Sequence, residues 1–117
     1  MDEGGRPLPV RGQCLRESWH RIEYHRIERG VVGPAVDAEE VNNHGFAVSW
    51  GGTTRERAED WLRYCAQDWF ERAHAEPGRW IAVMWRLTDD RAPLHEMARL
   101  EFRWRSNADQ SVRARSA

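Results

Sequence analysis

The alternation of apolar and polar side chains marks several short stretches with period two and one longer stretch with the period of a helix. Ala98–Arg105 is the clearest of the first kind. Leu100, Phe102 and Trp104 fall on one side, and Arg99, Glu101, Arg103 and Arg105 on the other. Arg79–Thr88 is apolar on both sides, with Ile81, Val83, Trp85 and Leu87 alternating against Trp80, Ala82, Met84 and Arg86. Phe46, Val48 and Trp50 predict a shorter strand. Leu15–Glu28 reads two ways, because Leu15, Trp19 and Ile22 also suit a helix ending at Gly30. Its run Arg21-Ile22-Glu23-Tyr24 repeats Arg99-Leu100-Glu101-Phe102 type for type, which favours a strand. Asp37-Ala38-Glu39-Glu40 predicts a short helix before the turn residues Asn42-Asn43-His44-Gly45.

The helical stretch begins at Thr53, where Thr-Thr-Arg-Glu has the form of a capping box with Glu56 three residues on. Glu56, Glu59 and Asp60 place negative charge near the helix start, as its dipole favours. Pro77-Gly78 is the predicted stop. Ala58, Trp61, Leu62, Cys65, Trp69 and Ala73 share one stripe, with Tyr64 beside it and Phe70 off it. These elements predict an α+β fold: a mostly antiparallel sheet of about four strands with one long amphipathic helix packed on one face. Residues 13–105 form the single domain. Residues 1–12, with three Gly and two Pro, are expected to be a flexible arm, and residues 106–117 a flexible basic tail.

Strand alternation then sorts side chains between two sheet faces. Ile22, Tyr24, Phe46, Val48, Trp50, Ile81, Val83, Trp85, Leu87, Leu100, Phe102 and Trp104 are expected toward the helix. Arg21, Glu23, His25, Ala47, Ser49, Trp80, Ala82, Met84, Arg86, Arg99, Glu101, Arg103 and Arg105 are expected on the other face, with Trp19 emerging there too. No second long helix is available to cover them.

Composition sharpens that second face. Every one of the 18 basic residues is arginine, and seven of the 117 residues are tryptophan. Arg and Trp are enriched where protein interfaces hold their binding energy, and Arg stacks on aromatic rings as Lys cannot. The ordinary explanation for a single Trp is core, and for an Arg beside a Glu a cross-strand pair. Net charge is −1, but residues 97–117 carry five arginines against two acids, a net +3. That is a mild basic patch, short of a dedicated nucleic-acid binder. The first ten residues lack a signal peptide's apolar core, and no apolar run is long enough to span a bilayer, so a cytoplasmic location with Cys14 and Cys65 reduced is expected.

Reactive constellations are sparse. The five histidines and two cysteines show none of the CxxC, HxxxH or HExxH spacings of zinc sites, and nothing asks for a metal or a cofactor. His20 and His25 point to opposite faces. Cys65 sits in the apolar stripe of the helix, where a thiol is inert. Gly51-Gly52 before the helix resembles an anion-holding turn, but it lacks the Walker and dinucleotide patterns and is followed by acids. The leading expectation is a non-catalytic interaction module that binds a protein partner or a second copy of itself. Trp80 and Met84 are its anchors, with Arg86, Arg99, Arg103, Arg21 and His25 around them. Two alternatives stand beside it. One is a nucleic-acid binder using Arg103, Arg105, Arg113 and Arg115. The other is a small acid–base enzyme or ligand-binding domain built on His25, Glu23 or Glu101.

Overall fold

A computed structural model describes residues 18–44 and 53–105. The elements run β1 (Trp19–Glu28), β2 (Val31–Asn42), α1 (Thr54–Arg72), β3 (Gly78–Leu87) and β4 (Pro93–Trp104). The strands form one antiparallel sheet in the order β2-β1-β3-β4. With a single helix among the described residues packed on one face, the fold is the expected α+β arrangement, made of two hairpins.

Turn chemistry fixes both hairpins. Between β1 and β2 only Arg29 and Gly30 intervene, and both have positive φ (55° and 76°). This is the two-residue turn whose twist matches that of the flanking strands. Glycine carries the second position without steric cost. Between β3 and β4, Arg91 N–H donates to the Thr88 carbonyl at 2.8 Å, and Arg91 itself has φ 65°. A turn closed by a left-handed residue is the usual three-residue hairpin loop.

β2 replaces the short helix expected at residues 37–40. Asp37 and Glu39 lie opposite Tyr24 and Ile22 in the β1 ladder. Local acidic composition favoured a helix start, but pairing with β1 overrides that weak preference. Pro34 sits where the register slips between His25 and Ile27. A bulge on an edge strand is the place in a sheet that tolerates a residue without an N–H. The strand expected at Phe46–Trp50, the Gly51-Gly52 turn, Cys14 and both expected terminal arms lie outside the described residues.

α1 opens with the full capping box. Glu56 N–H donates to Thr53 Oγ1 at 3.1 Å, and Thr53 N–H donates to Glu56 Oε1 at 2.8 Å. The helix ends at Arg72, earlier than Pro77. His74 takes the left-handed conformation (φ 50°), and Ala75 N–H and His74 N–H donate back to the Phe70 and Glu71 carbonyls. That double bond pattern stops a helix without proline. Buried positions follow two rows spaced by four, Ala58-Leu62-Ala66-Phe70 and Trp61-Cys65-Trp69. Phe70, expected off the stripe, is therefore core (1% exposed), and Ala73 is exposed. The helix packs mainly over β4, which draws the Phe70 row inward.

The largest correction concerns β3. Its helix-facing residues are Trp80, Ala82 and Met84, and not Ile81, Val83 and Trp85. The register settles this: Met84 pairs with Ile22 and Ala98, Ala82 with Tyr24 and Leu100, and Trp80 with Phe102. Trp80 is 2% exposed and meets Trp69 and Phe70 edge-on at 5.5 and 5.6 Å. Its indole N–H donates to the Glu76 carbonyl at 2.9 Å, so the polar end of the ring is satisfied in the core. Around it, Tyr24 stacks on Trp69 at 4.0 Å and Phe70 on Trp104 at 5.0 Å. The Arg26 guanidinium closes this cluster, 5.2 Å over the Trp80 ring. Gly78 beside it has φ 142°, a backbone conformation that L side chains rarely adopt, which explains the glycine there.

Candidate interaction surface

The sheet face opposite α1 carries no helix or strand among the described residues. Its centre is β3. Trp85 lies between Arg21 of β1 and Glu96 of β4, Val83 between Glu23 and Arg99, and Ile81 between His25 and Glu101. Arg79 lies between Ile27 and Arg103. The result is a trough with an apolar floor on β3 and charged walls on β1 and β4. Val83 is only 4% exposed although no helix among the described residues covers it, and the long side chains of Glu23 and Arg99 flank it in register. Trp85 and Ile81 are half-buried.

Within the walls the charges pair with one another. Arg21 Nε lies 3.3 Å from Glu23 Oε2, and Arg79 Nη2 lies 2.7 Å from Glu101 Oε2. Arg99 grips both oxygens of Glu96, Nε at 3.1 Å and Nη2 at 2.9 Å. This hydrogen bonding holds the Glu96 carboxyl below its usual range and raises Arg99. Trp85 Nε1 donates to Glu23 Oε1 at 3.3 Å, which ties the central indole to the β1 wall. His25 directs Nδ1 at the Gly33 carbonyl, 2.9 Å away, and Nε2 toward Glu23 at 3.6 Å. That arrangement uses the ring to hold the β2 bulge. At one end of the face Trp19 emerges as expected, covered by the Arg91 guanidinium at 4.0 Å.

The expected site residues thus divide. Arg21, His25, Arg99 and Arg103 share the helix-free face. Trp80 and Met84 do not: both lie in the core, at 2% and 1% exposure, and cannot anchor a partner. Arg86 also belongs to the helix side, in register with His20 and His95. Trp85, assigned to the core from sequence, takes the place of Trp80 on the open face. Arg105 is exposed at the end of β4, and Arg113 and Arg115 lie outside the described residues.

Two polar features of the helix side escaped sequence reading. Tyr24 OH donates to Glu39 Oε2 at 2.7 Å, and Arg72 Nη2 reaches the other Glu39 oxygen at 3.0 Å. Burial and then the Glu39 contact raise the Tyr24 phenol, and burial with Glu39 nearby pushes the Cys65 thiol up to about 12. At the opposite end His20 is 2% exposed, with Ser18 Oγ 3.4 Å from Nε2. Loss of water, and then the Arg86 charge, bring its pKa down to about 4. As expected, His20 and His25 face opposite sides of the sheet.

Among the described residues no group of three His, Cys, Asp or Glu side chains converges as metal ligands would. No helix among them is long and apolar enough to cross a membrane. Comparison with known proteins gives no match: no family model, curated protein or solved structure is similar to this chain.

Proposed function

We propose that this protein is a non-catalytic interaction module whose helix-free sheet face receives a protein partner. The observation that carries this reading is the trough itself. An apolar strip of Ile81, Val83 and Trp85 is walled on β1 and β4 by Arg21, Arg99 and Arg103 against Glu23, Glu96 and Glu101, with Arg79 and Arg91 toward its ends. A protein surface with apolar side chains flanked by both charge signs complements such a strip. A polyanion does not, because affinity for phosphates needs uncompensated positive charge. Trp85 is the anchor in this reading and Arg21, Arg99 and Arg103 set polarity around it. Its working compartment is the cytoplasm, where a buried thiol such as Cys65 stays reduced.

The test is a binary titration. A partner captured from the source cell by the tagged protein is purified and measured calorimetrically against wild type and Trp85→Ala. Truncation of a central anchor weakens binding by about 2 kcal/mol, roughly thirtyfold. Unchanged affinity contradicts the proposal. So does a chain that binds polynucleotide with steep salt dependence and no protein.

A further inference from the structure

The two outer strands of the sheet differ in a way that identifies one as a seam. We infer that the outer edge of β4 pairs antiparallel with β4 of a second copy about Leu100, joining two four-stranded sheets into one of eight. Among the described residues nothing pairs with that edge. Placing the two-fold axis at Leu100 sets Arg99 opposite Glu101 of the second copy, and Glu101 opposite its Arg99. Ala98 then meets the larger Phe102 of the second copy. Opposite charges and an aromatic beside a small side chain are favourable cross-strand neighbours. The axis stands perpendicular to the sheet, so both helices stay on one side and both troughs on the other. Self-complementarity of this kind is what a two-fold interface demands.

The burial pattern agrees. Leu100 and Phe102 pack against the core and yet remain partly exposed at the sheet margin, while Arg99 and Glu101 are exposed. A second copy covers the first pair and extends the ion pairs of the second, Glu96–Arg99 and Arg79–Glu101, across the seam. The register shift between Met84 and Trp85 confines straight pairing to the stretch from Ala98 onward, so an axis at Leu100 pairs Ala98 through Phe102 of the two copies.

β2, the other edge, shows the opposite features. It carries Asp37, Glu39 and Glu40 with no cation, and it is interrupted by Pro34 at a register slip. Two copies of β2 would bring acid near acid, and proline and bulges are the means by which edges refuse partners. Val31, Val32 and Val36 are exposed there without a complementary pattern.

The test uses charge exchange in the full chain. Sedimentation velocity at micromolar concentrations compares wild type, Arg99→Glu, Glu101→Arg and an equimolar mixture of the two variants. The inference predicts a wild-type dimer, and at least about tenfold weaker self-association of each variant alone. It also predicts recovery in the mixture, where the substituted side chains face each other with opposite sign. Each variant loses an ion pair within its own chain whether mixed or not, so recovery separates the seam from effects on folding. A monomeric wild type, variants that dimerise as wild type does, or a mixture that fails to recover each overturns it. None of these readouts depends on what the trough receives.

Discussion

The two faces of β3 are equally apolar in sequence and different in consequence. On the helix side, Trp80, Ala82 and Met84 lie in the core with Trp69 and Phe70, where the Trp80 indole N–H is bonded to the Glu76 carbonyl and His20 is held neutral. On the other side, the neighbours of Ile81, Val83 and Trp85 among the described residues are mostly charged side chains on the flanking strands. The first arrangement holds the fold together. The second leaves an apolar strip flanked by charged side chains that pair with one another at the surface. What decides the role of a tryptophan here is its parity along one strand, and not its chemistry.

That contrast makes its largest prediction about stability. Trp80→Ala removes a buried ring and opens a cavity beside Trp69 and Phe70, costing about 3–5 kcal/mol in urea denaturation. Trp85→Ala, at a half-buried position with one 3.3 Å hydrogen bond, costs about 1 kcal/mol or less. Equal losses would erase the distinction between the faces.

The next effect is one of pH. Native His20 has its pKa lowered to about 4 from a reference of 6.5. Between those values the unfolded chain binds a proton that the native chain does not. Its neutral burial therefore contributes fully above pH 6.5, and stability falls as pH drops from there toward 4, by on the order of 3 kcal/mol. His20→Leu should flatten this part of the profile of denaturation midpoint against pH. A wild-type midpoint with no pH dependence over that window would show the helix side to be less dry than described.

Much of this organisation was legible in the amino-acid order. The capping box at Thr53 and Glu56, the charged alternation of Arg99–Arg105 and its echo at Arg21–Tyr24 each carry a mechanism, and each appears where expected. Parity on β3 was not legible, because Ile81–Leu87 and Trp80–Met84 are both apolar rows and alternation cannot choose between them. The β3–β4 register could have chosen, since it aligns Trp80 with Phe102. That register, however, depends on two shifts, near Met97 and Leu94, whose effects on parity cancel. Neither bulge has a signature in Pro93–Ala98. β2 was hidden for a related reason: Asp37 and Glu39 look like a helix start until Tyr24 and Trp69 supply donors for their carboxylates, Trp69 Nε1 reaching Asp37 at 2.9 Å. Of the open-face residues, those with alternating charge were found and those on the apolar floor were not.

The most direct test of the central claim is an indole N–H spectrum of the folded protein, with Trp80 and Trp85 assigned by single Trp→Phe variants and a soluble paramagnetic chelate added. The Trp85 signal should broaden as the chelate is titrated. The Trp80 signal, 2% exposed and bonded to the Glu76 carbonyl, should persist. Broadening of Trp80 with Trp85 protected would reverse the two faces and remove the proposed docking trough.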